Sequence, residues 1–599
     1  MRVANWVVIG LLLVGAQPAL ATDLAQSWQW KKLLQYNERG YSEIEQMEFF
    51  FSPTGHHDPS AELEAARIAF KGEPELVCQY PARALFLMRA GLIAEFDSGQ
   101  CEALVNWQKS ATIDQVSLVF ADGYLKNPAS FHGHLFLNLS NSQSPYRLLD
   151  NSLNYGAEVP QNVDPVTYIA KGLFGGYRAR YSSQHFYRHN LSYGRIELRN
   201  LWDYQLNVSA TDAQLLSAHL FELASTDYQY YFMSKNCAYY VARALELVAG
   251  TYLVSDSDWT VFPSEVVAHV AAPELHLVHS ITLNESEQKR FQSQYNALPE
   301  VLKNAVDEWV YSQPEGALFT QLTAQDQKRV LITLASYFDF LLLQNPDEAA
   351  YSQQRQLVLR ALLRYEPGNN HQVLASAEQP HLGQPPNLVR LSYMNLAEQA
   401  DQWELTMRPT YYDRLQPKVG KPKHSELMMG ELTISQRDGS LLLERLSLFN
   451  LTSLNVSNTG LPGDGGESWL LAVGAERRRF RTLQAPLAVY VEGAYGKAHQ
   501  FDSGVVVYAL AGARLHATEV LGDDHHLTLT GRIGVEGTIG EHTWLCEFTK
   551  PLAVSQRVTT QRLHSQCAAA LYQSQSSDLR LTVEHQQYLG VKLGWSIYF

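Results

Sequence analysis

Two hydrophobic periods divide this chain. From Thr22 to about Arg364 apolar residues recur mainly three and four apart, as in Ala61–Phe70, Asp212–Ala224, Cys237–Val248 and Gln325–Leu343, and that spacing predicts amphipathic helices. Between Ser117 and Val254 the strand-like runs Val116–Phe120 and Leu135–Leu139 join them, so this stretch reads as mixed α/β. After Asn387 the period becomes two and stays two. Leu527, Leu529, Ile533 and Val535 alternate with Thr528, Thr530, Arg532 and Glu536, and the last run puts Val591, Leu593, Trp595, Ile597 and Phe599 on one face. Such runs predict about ten to twelve strands of the length that crosses a bilayer.

The expected organisation is α+β and multi-domain: a signal peptide at 1–21, a helical N-terminal domain at 22–114, an α/β domain at 115–254, a helical connector and linker at 255–386, and an antiparallel β-domain at 387–599. The signal peptide is read from Arg2, the apolar run Trp6–Ala16 and the small-x-small Ala19-Leu20-Ala21. The linker is read from Glu366-Pro367-Gly368-Asn369-Asn370 and the proline-rich Gln379–Pro386. Period two alone fits a soluble sandwich, apolar inside, as well as an outer-membrane barrel, apolar outside. Export, a polar face that carries charges, and a final aromatic strand ending at Phe599 favour the barrel. No apolar run reaches the ~20 uncharged residues of a spanning helix.

A net charge of −14 argues against a nucleic-acid partner. The five cysteines sort by spacing: Cys78 with Cys101 and Cys546 with Cys567 read as disulfides of an exported protein, the first closing a loop worth ~3 kcal/mol. Cys237 is left over. It heads an apolar helix about a hundred residues after Phe131-His132-Gly133-His134, and a thiol there meets unpaired backbone N–H groups. A helix N-terminus supplies at most ~2 kcal/mol, so a thiolate at neutral pH needs a second group, and a histidine is the natural one. Strand alternation over Phe131–Leu139 puts His132, His134 and Phe136 on one face.

Gly133-His134, Gly175-Gly176-Tyr177, Leu201-Trp202-Asp203-Tyr204, His219-Leu220-Phe221-Glu222-Leu223 and Asn236-Cys237-Ala238-Tyr239-Tyr240 together resemble the Lnb N-terminal periplasmic domain family. The chain is similar, more distantly, to permuted papain-like enzymes of the NlpC and lecithin:retinol acyltransferase kind. The resemblance implies a papain-like α/β fold and a cell-envelope cysteine acyltransferase or thiol hydrolase that forms a thioester on Cys237 and acts on lipids or lipoproteins, with Cys237 as nucleophile, His134 as its base and Asn154 orienting the imidazole. Asp150 and His132 compete for that third role, while Asn236, Ala238 and His132 are candidates for oxyanion or supporting positions. The interleaved cations and aromatics Tyr177, Arg178, Arg180, His185 and Arg188 suit a lipid phosphate, or else form a solvated basic loop.

No cofactor is expected. Zinc on His132, His134 and Cys237, or on His185 and His189, is the metal alternative, but two histidines on a strand are a weak signal. The remaining alternatives are a non-enzymatic scaffold or channel whose periplasmic domain recognises lipoprotein or peptidoglycan, and a papain-like cell-wall amidase. The sequence leaves the acyl donor, the acceptor and the oligomeric state open.

Overall fold

A computed structural model describes residues 23–599 apart from 109–112, 126–129, 145–146, 161, 313, 367–378, 398–400, 418, 438, 478–486, 502, 517–526, 553–562 and 586–587. The expected signal peptide, and much of the expected linker, lie outside the described residues. The chain forms two compact units: residues up to 121 with 133–192 and 201–284, and residues 122–132 with 193–200 and 285–599.

The first unit is built on seven strands: β1 (Gln115–Ala121), β2 (His134–Ser140), β3 (Asn151–Ala157), β4 (Tyr177–His185), β5 (Leu201–Leu206), β6 (Tyr228–Tyr230) and β7 (Val278–Asn284). Their order is β6-β4-β3-β2-β1-β5-β7, and every pairing is antiparallel. Leu135, Leu137, Leu153, Tyr155, Ala179 and Tyr181 share the face that is buried with the helices Ala210–Leu223 and Cys237–Ala249 in one core. The N-terminal helices Pro59–Gly72 and Pro81–Arg89 join the same core. Buried charge pairs fasten this layer: Lys32 and Arg243 meet Glu246 at 2.5 and 2.9 Å, and Arg83 meets Glu222 at 3.0 Å. The Cys78–Cys101 disulfide closes within it.

The second unit joins a helical layer to a barrel. The helices Glu287–Asn296, Glu300–Tyr311, Ala324–Gln344 and Ala349–Leu362 bury Phe291, Trp309, Leu334 and Phe340 together. Strands β8 (Leu388–Leu396), β9 (Gln402–Arg408), β10 (Thr410–Tyr412), β11 (Ser425–Arg437), β12 (Ser440–Ser453), β13 (Ser468–Arg477), β14 (Leu487–Gln500), β15 (Val506–His516), β16 (Leu527–Ile539), β17 (His542–Leu552), β18 (His564–Gln573), β19 (Ser577–His585) and β20 (Leu589–Tyr598) pair in sequence. β20 returns to β8, and β9 pairs β11, so twelve antiparallel strands close, with the short β10 extending β9 beyond Pro409. The twelve strands meet the upper end of the sequence expectation. Leu527, Leu529 and Ile533 are exposed while Thr528, Thr530 and Glu536 are buried, so the apolar set faces outward and the charges inward. Cys546 opposes Cys567 across β17 and β18 and is bonded to it.

An even strand number brings the chain into and out of the barrel at one end. The β12–β13 connection at that end docks on the helical layer: Leu461 joins its core, and Tyr337 donates to the Pro462 carbonyl at 2.8 Å. Asp464, fully buried, shapes that connection by accepting from the Asn458 and Thr459 N–H groups and from Gln292 at 2.8, 2.9 and 2.7 Å. Among the described residues no helix is long and apolar enough to cross a membrane.

Candidate active site

The Cys237–Ala249 helix starts where it does because Asn236 caps it. The Asn236 side-chain oxygen accepts from the Ala238 and Tyr239 N–H groups at 2.9 and 3.3 Å, and its amide donates to the Phe232 and Val261 carbonyls at 3.0 and 2.7 Å. Gly250 ends the helix in the left-handed conformation. The cap fixes the thiol at the head of the helix, where it is 5 % exposed.

His134 opens β2 and hydrogen-bonds the Cys237 thiol. The other side of its ring meets the Asn154 side-chain oxygen, carried by the neighbouring β3. Burial by itself pushes the Cys237 thiol up. The His134 charge and hydrogen bond, with the Leu135 and Ala238 N–H groups, outweigh it and hold the thiol below its ordinary value. The sequence-derived trio of Cys237, His134 and Asn154 is therefore assembled in one connected chain.

One participant was not singled out from sequence. Tyr230, in the three-residue β6, accepts the Cys237 backbone N–H at its hydroxyl and bonds the thiol; burial first, then the thiolate beside it, raises its phenol well above the usual range. It stands among Tyr228, Tyr231, Tyr239 and Tyr240, and no spacing rule separates it from them.

Other expectations are corrected. Gly133 has φ +88° and interrupts the strand, so His132 does not share the alternation of His134. A Cβ at Gly133 would lie 2.6 Å from the Phe120 ring, which makes that turn a glycine position. His132 belongs to the second unit, its ring packs edge-on against Tyr411 at 4.9 Å, and burial pushes its imidazole down to about 3. Asp150 accepts from Asn138 at 3.2 Å, so it does not orient His134, and burial raises its carboxyl to about 6. Of the two alternatives for Asn236 and Ala238 the geometry favours support: Asn236 caps the thiol helix through the Ala238 N–H, which also faces the thiol.

The basic and aromatic segment is a strand that divides between two ends of the sheet. Nine residues of β4 span ~30 Å. Arg178 and Arg180 fall on the Asn154 face near its start and meet Asp227 and Glu158 at 3.8 and 2.8 Å. Tyr177 points to the opposite, buried face. His185 sits at the far end against the Leu149 carbonyl, 2.8 Å away, and Arg188 follows it, exposed, so these residues make no single anion pocket. His189 stacks on Phe136 at 4.2 Å. Among the described residues no three His, Cys, Asp or Glu side chains gather as a metal site.

What these elements define is an exported α/β domain with an ordered thiol–imidazole–amide chain, carried by a protein that ends in an outward-apolar barrel. Residues 103–271 match the family model described as the Lnb N-terminal periplasmic domain. Residues 377–598 and 22–90 match two further models, the domains of unknown function DUF7840 and DUF7843. No curated protein matches the chain in sequence.

Among solved structures the barrel part resembles the KdgM porin, at 6 % identity over 35 % of this chain and 99 % of the porin with a TM-score of 0.23. The NanC porin matches at 7 % identity over 36 % of this chain and 100 % of the porin, with the same TM-score of 0.23. An outer-membrane channel from Pseudomonas putida F1 matches at 12 % identity over 38 % of this chain and 100 % of its own, again at 0.23. The barrel's own strand pairing and its exposed Leu593, Trp595 and Ile597 are what make it membrane-spanning. With the periplasmic domain before it, the chain belongs to the periplasm and outer membrane of a Gram-negative bacterium.

Proposed function

We propose that the protein is a cell-envelope cysteine acyl-transfer enzyme that takes an acyl group from a lipid or lipoprotein. The observation that carries this reading is the connected chain from Cys237 through His134 to Asn154, with the thiol held below its ordinary value. The Cys237 thiol passes its proton to His134, its sulfur attacks the carbonyl carbon of an ester or amide, and the carbonyl oxygen takes the negative charge. The Tyr230 hydroxyl, set beside the thiol and on the Cys237 N–H, is a side-chain donor placed to meet that charge. As the carbon–oxygen or carbon–nitrogen bond breaks, the imidazolium of His134 gives its proton to the leaving group and an acyl thioester remains on Cys237. An amine or water, deprotonated by His134, then attacks the thioester and releases the thiol.

A lipid acyl donor is supported by the helix Pro165–Phe174, which connects β3 to β4 at the sheet end where His134 opens β2. Its inner face packs Tyr168 on Phe232 at 5.1 Å, and Phe232 in turn touches Tyr230 at 5.9 Å. Its outer face leaves Ile169, Leu173 and Phe174 exposed, Phe174 by 83 %. An apolar face of this kind beside a reactive thiol suits an acyl chain.

The test is a long-chain ester substrate offered to the full-length protein, with mass spectrometry of the acyl-enzyme. Acylation confined to Cys237, and lost in Cys237→Ala while folding is kept, is the expected result. Full turnover by Cys237→Ala would end the proposal. Mass spectrometry of lipoproteins from cells with and without the protein identifies donor and acceptor.

A further inference from the structure

The connection from β10 to β11 does not leave the barrel mouth. Asp413, directly after β10, accepts from Arg408 of β9 and Arg580 of β19 at 3.0 and 2.9 Å. Arg414 donates to Tyr508 of β15 at 2.7 Å, to Glu536 of β16 at 3.2 Å and to Glu547 of β17 at 2.9 Å. The Leu415 carbonyl accepts from Thr543 of β17 and from Gln573 of β18, the latter at 2.6 Å. In the closed strand order β16 lies six strands from β9 in either direction, on the opposite wall of a twelve-stranded barrel. Two residues after Tyr412 the chain is therefore bonded to the far side of the lumen.

Barrel width explains why a segment is needed there. Eight strands are filled by their own inward side chains, whereas sixteen to eighteen leave an aqueous channel, so twelve leave a gap that wall residues do not close. The wall does narrow it: Arg532 joins Glu492 and Glu547 at 3.0 and 2.6 Å. Chambers of about 260 and about 200 Å³ nevertheless remain, and Leu415 lines both. Both charge signs on the segment are matched by wall partners, which holds it without leaving a charge unpaired in the lumen.

We propose that the Asp413–Gln416 segment is a strap that closes the barrel lumen at the end where the chain enters and leaves, latched by Asp413 to Arg408 and Arg580 and by Arg414 to Glu536 and Glu547. The barrel in its resting state is an anchor whose lumen is shut at that end, and release of the strap opens the two adjoining chambers there to small polar solutes and ions.

Planar-bilayer recording on the purified full-length protein tests it, with heat-modifiable gel mobility reporting the folded barrel. The wild type is expected to give no sustained conductance. Asp413→Ala combined with Arg414→Ala should give discrete conducting steps, raising mean current at least about ten-fold over the wild type at equal protein. Glu536→Gln combined with Glu547→Gln, which cuts the same latch from the wall side, should do so as well. Steady open-pore conductance by the wild type overturns the proposal, and so do silent but folded variants. Loss of the folded barrel in both variants also overturns it, because the segment would then be part of the barrel's core and not a separable strap.

Discussion

Burial and the imidazole pull the Cys237 thiol in opposite directions, and the imidazole prevails. Removing His134 leaves burial opposed only by the Leu135 and Ala238 N–H groups, so His134→Ala should move the midpoint of the alkylation-rate pH profile upward, past the ordinary thiol value of about 8.5. Iodoacetamide kinetics across pH measure this, and an unmoved midpoint would separate the ring from the thiol. Asn154 acts through the ring, so Asn154→Ala should lower kcat by ~10²-fold with little change in KM, and Asn154→Gln should not restore the geometry. Tyr230→Phe removes the hydroxyl on the Cys237 N–H and should cost ~10²-fold in kcat while the helix stays capped by Asn236. Cys237 and His134 were readable because an odd cysteine count and a helix-start motif follow a histidine-bearing strand. His132 was misread because period-two reasoning carries no memory of Gly133, whose positive φ resets the alternation. Tyr230 was unreadable because four other tyrosines surround it in sequence and only the entry of the chain into the helix chooses among them.

The helix that carries the thiol is held from behind as firmly as it is capped in front. Glu246 is completely buried between Lys32 and Arg243, and its other oxygen accepts from the Leu253 N–H at 3.0 Å. Glu246→Ala strands two cations in a dry core, so it should destabilise the first unit by ~3–5 kcal/mol. Thermal or denaturant unfolding of the full chain, followed by tryptophan fluorescence, checks the loss. Trp28 reports on this spot among the chain's eleven tryptophans, because its indole donates to the Glu246 carbonyl at 2.6 Å. Helical periodicity revealed each of these elements, but not that the N-terminal layer and the thiol helix share a core. Lys32 and Glu246 are 214 residues apart, and no local pattern pairs them.

At the scale of the whole molecule, alternation along the last third of the chain specified the barrel, since a strict period of two must place one set of side chains outside and the other inside. What alternation left open was which set faces which way, and the exposed Leu593, Trp595 and Ile597 against the buried Ser596 and Tyr598 resolve it. The strap was hidden because Asp413-Arg414-Leu415-Gln416-Pro417 has the composition of any surface turn, and its wall partners are spread over strands that follow it by about a hundred residues or more. The outward assignment gives a comparison between adjacent residues. Leu593 lies at the middle of β20, opposite Leu581 and Tyr393 at the middles of their own strands, and faces out. Lys592, its neighbour, faces the lumen and pairs with Glu404 at 3.1 Å. Leu593→Arg puts a charge at mid-membrane depth and should cost ~2–4 kcal/mol, whereas Lys592→Arg keeps a lumenal cation beside its carboxylate and should cost little. Urea titration of the barrel in lipid vesicles measures both, and equal costs at 592 and 593 would mean that the wall does not separate lipid from lumen there.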